Sequence, residues 1–194
     1  RRTVMVPSDV LINTLFAIKK ISLLQKIDNF ASATNLIGHY FVMITYKKTT
    51  LSNGLSVIAN RDRTSRMAAV NILYKVGARN ENPNRTGLAH LFEHLMFRGT
   101  TNVPDFDIPV VMASGETNAF TNNDYTDFYI TLPKENLSTA LWLESDRMRN
   151  LNISEDAYRT EKQVVIEEFK QRYLNQPYGD EQLLLRDLAY KRHP

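Results

Sequence analysis

Residues 87–100 have the sequence GLAHLFEHLMFRGT, in which His90, Glu93 and His94 form the pattern H-x-x-E-H. This is the reverse of H-E-x-x-H, a pattern with which helices bind zinc in hydrolases. Two histidines four residues apart share one face of a helix, so their imidazoles can hold a single ion. Glu93 projects from the same side, where its carboxylate can accept a proton from water. The stretch therefore predicts a helical metal site that includes its own base.

The flanking sequence predicts where this helix begins and ends. Thr86 is a suitable N-cap, and Gly99 is a suitable C-terminal stop. An apolar stripe is expected on the side opposite the histidines. Its members are Leu88, Leu91, Phe92 and Leu95. Phe97 interrupts the polar side, and its aromatic ring suits either a pocket wall or the core.

A catalytic zinc ion takes three protein ligands and a water molecule. The chain contains no cysteine, and only His39 and His193 remain besides the two motif histidines. A carboxylate is therefore expected as the third ligand. The candidates are Glu161, Glu167 and Glu168, on a helix predicted to begin at Ser154, and less favourably Glu144. Glu161 and Glu168 are seven residues apart and share a face, so spacing alone does not choose between them.

The same residues could also form a polar surface that binds no metal. His and Glu at helical spacing occur on solvated helix faces, where they have no ligand. An acidic pair on a helix commonly serves solubility alone. With four histidines in 194 residues, a chance match to the motif is uncommon, and the apolar stripe and downstream carboxylates favour a metal site.

The amino-acid composition limits the classes to which the protein can belong. The 194 residues are 43% hydrophobic with a mean hydropathy of -0.34, which is typical of a soluble globular domain or a large part of one. The net charge is +3 and the pI is about 9.1. Positive and negative charges are mixed along the chain, which argues against a nucleic-acid partner. The absence of cysteine excludes disulfides and cysteine-ligated zinc.

The N-terminal residues differ from the rest of the chain. Residues 1–42 have few turn signals, and we expect them to be an extension that precedes a true start at Met43. Their longest apolar run, 10–18, is too short to span a bilayer and lacks the context of a signal peptide. We therefore expect no membrane span and a cytoplasmic location. Residues 43–194 are expected to be the N-terminal part of a truncated catalytic domain.

Several strands are predicted first, and long helices follow. Strands are expected at 44–51 and 55–60 around a hairpin turn, at 67–76 as a buried strand, and at 116–121 and 126–132. Helices are expected at 106–113, 134–149, 154–173 and 181–189. The core side of the second of these is expected to carry Leu137, Leu141, Trp142 and Met148. This order predicts an α+β fold, an antiparallel-rich β-sheet with helices packed on one face.

Three stretches carry a resemblance to a known family. They are GLAHLFEHLMFRGT (87–100), SGETNAFTNNDYTDFYITLP (114–133) and EKQVVIEEFKQR (161–172). From residue 44 onward, about three quarters of the chain, the sequence resembles the N-terminal part of the insulinase/pitrilysin family of zinc peptidases. That family has the inverted motif and includes the mitochondrial processing peptidases. Ser114 departs from the glycine that is common in the family, a mild change at a turn.

The resemblance implies a site and a chemistry. It implies that Glu168 is the third ligand of one Zn²⁺ ion, beside His90 and His94, and that Glu161 is a catalytic residue that supports the site. Glu93 would be the catalytic base. The implied fold is the half-molecule shared by processing peptidases and LuxS-type metalloenzymes. The implied activity is zinc-dependent endopeptidase cleavage of peptides or unfolded protein segments.

The resemblance also implies how substrate and partner bind. The strand 116–121 corresponds to a sheet edge to which a peptide substrate adds as an extra strand, which places substrate at Asn118, Ala119 and Phe120. Phe97 would line the adjoining pocket. A second homologous half, as a further domain or a partner subunit, would complete the site, so residues 43–194 alone are expected to bind zinc but to hydrolyse peptides weakly.

Two alternatives belong to other classes of protein. The first is a non-catalytic scaffold or partner subunit of a two-subunit assembly, although such members usually lack some of the ligands present here. The second is a small-molecule metallohydrolase of related fold. That class uses a cysteine ligand, which this chain lacks.

Overall fold

The computed structural model of the protein describes residues 44–190. The predictions made for residues 1–42, Met43 and His193 lie outside these residues, and the proposed domain boundary remains a prediction. Within the described part, the chain divides into two compact units, with the boundary between Arg66 and Met67. Each unit is described separately.

The first unit contains a β-hairpin. Strand β1 (Tyr46–Thr50) pairs antiparallel with β2 (Ser56–Asn60), with Tyr46 opposite Asn60. The turn has Gly54 in the left-handed region, at φ 85°, a conformation that glycine adopts without steric cost. The predicted hairpin is therefore present, and its strands are shorter than expected.

The second unit contains a three-stranded antiparallel sheet. Its strands are β3 (Met67–Tyr74), β4 (Glu116–Thr121) and β5 (Thr126–Pro133), in the order β3-β5-β4. Val70 lies opposite Ile130 in the register of β3 and β5. The short β4–β5 connection places both strands side by side, so the loop between them lies at one end of the sheet.

Five α-helices lie in the described part of this unit. They are α1 (Leu88–Leu95), α2 (Asp107–Met112), α3 (Leu137–Asn150), α4 (Glu155–Phe169) and α5 (Glu181–Ala189). Short 3₁₀ turns occupy Ala78–Asn80 and Lys134–Asn136, and a π-helical turn at Lys170–Leu174 continues α4. Each predicted helix is present, with bounds shifted by a few residues at most of the ends.

The core lies between one face of the sheet and the helices. Its buried side chains come from β3, β5, α2, α3 and the segments on either side of α2: Val70, Val103, Phe106, Val110, Ala113, Ile130, Leu132, Ala140 and Leu143. The opposite face leaves Leu73 and Met67 about half exposed. This confirms the α+β prediction with helices on one face. The expectation that β3 is buried throughout is wrong, because helices cover only one of its faces.

A charged pair is buried inside α3. Arg147 forms an ion pair with Glu144, one helical turn earlier, and its guanidinium lies 3.9 Å from the ring centre of Phe106. Burial raises the pKa of Glu144, and the neighbouring Arg147 charge opposes that rise. These residues occupy the core side of α3, so the expected core position of Trp142 is wrong: the residue is 45% exposed.

The turn before β4 contains the departure from the family pattern. Ser114 has φ 56°, in the left-handed region that glycine adopts more readily. Gly115 follows, and a Cβ atom there would lie 2.9 Å from the Thr131 carbonyl oxygen. The chain therefore needs glycine at 115 and tolerates serine at 114 at a modest conformational cost.

Candidate metal centre

Helix α1 begins at a glycine that is capped from a distance. The N-cap is Gly87, at φ 89°, and it has no side chain to accept a hydrogen bond. The carboxylate of Glu81 takes that place, accepting from the backbone N–H groups of Gly87 (2.7 Å) and Ala89 (2.6 Å). A negative charge at a helix N-terminus also interacts favourably with the helix dipole. The prediction of Thr86 as N-cap is wrong for this reason.

The apolar side of α1 is narrower than the sequence suggested. Leu91 and Leu95 are buried, whereas Leu88 and Phe92 are 41% and 53% exposed. Two of the four residues predicted to form the apolar stripe are therefore buried, and the prediction is wrong for the other two. The helix ends at Leu95, and Gly99, at φ 97°, ends the turn that follows it rather than the helix itself. Two leucines anchor α1 while its histidine side remains open.

Three potential ligand atoms converge beside α1. The Nε2 atoms of His90 and His94 are 3.3 Å apart. The Oε2 atom of Glu168, near the end of α4, lies 3.6 Å from the first and 3.4 Å from the second. Among the described residues these three form the one group of histidine, aspartate or glutamate side chains close enough to share a metal ion.

These separations suit zinc. Tetrahedral ligands about 2.0–2.1 Å from an ion are roughly 3.3 Å from one another. The three observed distances fall at or slightly above that value, and two imidazoles with one carboxylate are a donor set that zinc accepts in catalytic sites. The residues therefore fit a zinc ion with one position left for water.

A buried carboxylate orients the second histidine. Glu161, two helical turns before Glu168 on α4, has its Oε2 atom 3.1 Å from Nδ1 of His94. Its other oxygen accepts from Nε of Arg98 at 2.5 Å, and the Arg98 guanidinium completes an ion pair. A proton on Nδ1 leaves the lone pair of Nε2 free for a cation, which is the arrangement that metal-binding histidines commonly show.

The motif carboxylate is held by the neighbouring sheet. Oε2 of Glu93 accepts a hydrogen bond of 2.5 Å from the hydroxyl of Thr121, the last residue of β4. Both side chains are half-buried. Glu93 therefore lies beside the imidazole pair without being one of the three converging ligands.

Strand β4 is an edge strand of the described sheet. It pairs with β5 on one side, and the N–H of Ala119 donates to the Asn118 side-chain oxygen at 2.8 Å. Asn118 also lines a pocket that includes Glu93 and His94. Phe120 is 44% exposed and its ring contacts Tyr125. The three residues predicted to bind substrate thus lie on the strand whose last residue, Thr121, contacts Glu93.

Phe97 belongs to both a pocket wall and the core. It lines the pocket beside Glu93 and His94, while its ring contacts those of Phe106 and Phe128 at 6.3 and 5.8 Å. Phe97 therefore occupies both of the positions that the sequence offered as alternatives, a pocket wall and the core.

Two of the candidate ligands lie elsewhere. Glu144 is buried with Arg147 in the core, and Glu167 is exposed and paired with Lys170 at 2.7 Å. The contacts of Arg98 and Thr121 were not predicted from the sequence. Both side chains act across tertiary contacts, and no local spacing predicts them. In the sequence, the pair of glutamates at 161 and 168 indicated that a carboxylate could contact His94 without being a ligand.

None of the helices in residues 44–190 is both long and apolar enough to cross a bilayer.

Comparison with known proteins assigns the chain to a family. The model of the family described as insulinase (Peptidase family M16) matches residues 56–189. A zinc protease of Helicobacter pylori named PqqE is 38% identical over 152 residues, which are 77% of this chain and 34% of that protein. An uncharacterized zinc protease of Bacillus subtilis, YmxG, is 30% identical over 149 residues, covering 76% of this chain and 36% of the relative. The chain thus spans about a third of these relatives' length.

Solved structures agree with the sequence match. A crystal structure of a protease from Helicobacter pylori superposes with a TM-score of 0.67 at 38% identity, covering 71% of this chain and 33% of that one. The crystal structure of pitrilysin superposes with a TM-score of 0.61 at 22% identity, covering 69% of this chain and 15% of that one, and supports the fold alone. The chain belongs to the insulinase family of peptidases, family M16, whose relatives here are named zinc proteases.

Proposed function

We propose that this chain carries the metal-binding half of a zinc-dependent endopeptidase that cleaves peptides or unfolded protein segments. Membership of the insulinase family supports a zinc peptidase in general terms. The single observation that carries the finer proposal is the convergence of His90, His94 and Glu168, with Glu93 held beside them. A base next to a metal site is what hydrolysis of a stable amide requires.

The proposed roles follow from the contacts. His90, His94 and Glu168 hold the zinc ion. When bound, zinc acts as a Lewis acid and lowers the pKa of coordinated water to about 7. Glu93 accepts a proton from the attacking water and returns it to the leaving amine. Glu161 holds the proton on Nδ1 of His94, and Arg98 balances the buried charge of Glu161.

Strand β4 is proposed to bind the substrate backbone. An extended peptide would add to its free edge, where backbone hydrogen bonds supply affinity with little dependence on sequence. The N–H of Ala119 is available there once the Asn118 side chain moves aside. Phe120 and Phe97 offer apolar surface at the edge and in the pocket. This mode favours unfolded segments, because folded proteins offer few unpaired strands.

A second homologous half is the proposed partner. The chain spans about a third of its curated relatives' length, and the pocket beside His94 is open rather than enclosed. A cytoplasmic location is proposed as well, and fractionation of cells that express the protein tests it.

The second candidate function is that of a non-catalytic partner subunit. Measurable peptide cleavage that depends on Glu93 excludes that candidate.

The test separates metal binding from catalysis. Glu93→Gln removes the base but leaves all three ligands, so zinc should bind normally while cleavage of a quenched fluorescent peptide falls to background. His94→Ala and Glu168→Gln remove ligands and should lose both. Glu167→Gln, an exposed neighbour on the same helix, serves as the control. Near-normal cleavage by Glu93→Gln contradicts the assignment of the base.

A further inference from the structure

The hydroxyl that contacts Glu93 is one of two neighbouring threonine hydroxyls. Thr121 ends β4 and Thr126 begins β5 on the adjacent strand, and their Oγ1 atoms are 3.2 Å apart. Thr126 donates to the carbonyl oxygen of Val76 at 3.0 Å. A line of contacts therefore runs from the backbone at Val76 through two hydroxyls to the carboxylate of Glu93.

The number of hydroxyl hydrogens determines which group donates in each of these contacts. A threonine hydroxyl has one hydrogen to donate. Thr126 gives its hydrogen to Val76, so its oxygen faces Thr121 as an acceptor. Thr121 then has two acceptors within reach, and a carboxylate is the stronger of the two. Its hydrogen goes to Glu93 while Glu93 is ionised.

The same arrangement accommodates Glu93 after it has taken a proton. The protonated carboxyl can donate to the Thr121 oxygen, and the Thr121 hydroxyl can rotate to donate to Thr126. Every hydrogen of the two hydroxyls and of the carboxyl then has an acceptor in either state of Glu93. A glutamate has three rotatable side-chain bonds, and without this contact its carboxyl would sample orientations that face away from the imidazoles.

We propose that Thr121 is the positioning residue of the general base: its hydroxyl donates to the Glu93 carboxylate and fixes it in the orientation that accepts a proton from the attacking water. The inference rests on the proposed peptidase function. The side-chain contacts of the Thr121 hydroxyl are with Glu93 and Thr126, so its contribution belongs to the rate of the chemical step and not to metal binding. Because Thr121 also ends the strand proposed to bind substrate, base alignment and substrate docking share one element.

The experiment compares three variants in the complete zinc-loaded protein. Thr121→Val removes the hydroxyl at nearly constant shape, and Thr121→Ser retains it. Thr131→Val makes the same chemical change on β5, on the opposite face of the sheet from Thr121, and is the matched control. Each variant is measured for kcat and KM on a fluorogenic peptide. Zinc affinity is measured separately by competition with a chromophoric chelator.

We expect Thr121→Val to lower kcat about 10–100-fold, the loss typical of one hydrogen bond to a charged group. KM and zinc affinity should stay within about threefold, and Thr121→Ser should recover most of the rate.

The outcomes separate this inference from the proposed function. If the unaltered protein binds no zinc or its Glu93→Gln variant still cleaves, the proposed function fails. If those controls behave as expected but Thr121→Val retains its kcat, only the positioning role fails. Loss of zinc affinity in parallel with kcat also overturns the inference, because it shows that the hydroxyl supports the structure as a whole.

Discussion

Glu161 and Glu168 occupy the same face of α4, yet their surroundings differ. Glu168 is partly exposed, and its carboxylate reaches both imidazoles. Glu161 is 6% exposed and meets only the far side of the His94 ring, where Arg98 shares it. Glu168 can therefore reach an ion held by the two histidines. Glu161 can reach only the Nδ1 side of the His94 ring.

Substitution of Glu161 should weaken zinc binding without abolishing it. Glu161→Gln keeps the size of the side chain but loses the charge that makes His94 a better ligand, so zinc affinity is expected to fall about 10–100-fold. Competition with a chelator of known affinity measures the change. Glu167→Gln on the same helix is the control. Equal zinc affinities for the two variants would show that the Glu161 charge does not matter for the metal.

The residues of the site differ in how far the sequence predicts them. His90, Glu93 and His94 are predictable because one helical turn brings them together. The roles of Glu161 and Glu168 are not separable by spacing, since both share a face. Arg98 and Thr121 contact glutamates 63 and 28 positions away in the chain, and such contacts depend on how α1 packs against α4 and β4.

Among the elements, α1 and α4 show two different ways to begin a helix. Ser154, where the sequence predicted this helix to begin, caps α4 locally, with its Oγ accepting from the N–H of Ala157 at 3.1 Å. Helix α1 relies instead on Glu81, in the preceding loop. A local cap follows from neighbouring residues, whereas the Glu81 cap requires the loop to fold back. The metal-binding helix is therefore the one whose start the sequence alone misplaced.

Removal of this distant cap should destabilise the protein. Glu81→Ala leaves two backbone N–H groups at the start of α1 without their carboxylate partner, and the expected cost is about 1–2 kcal/mol in the free energy of unfolding. Urea denaturation followed by circular dichroism measures it. Glu135→Ala changes an exposed carboxylate outside α1 and should cost less than about 0.5 kcal/mol. A loss no larger than this control would mean that water replaces the cap.

At the scale of the whole molecule, the candidate ligands join two helices that lie far apart in sequence. His90 and His94 are on α1 and Glu168 is on α4, so an ion held by all three would link these two helices. Only the folded chain brings these three side chains together, because the two helices are distant along the backbone. A ligand that binds only the folded state stabilises that state in proportion to its affinity.

Zinc should therefore raise the thermal stability of the protein. At a free zinc concentration about 100 times the Kd, the expected stabilisation is about 2.7 kcal/mol. For a chain of this size, that corresponds to a rise in Tm of roughly 5–10 °C, which differential scanning fluorimetry with and without a chelator measures. His94→Ala should remove the rise, because zinc then keeps two of its three ligands and binds far more weakly. A rise that persists in His94→Ala would mean that zinc stabilises the protein from some other site. The assignment of the three side chains as zinc ligands would then be wrong.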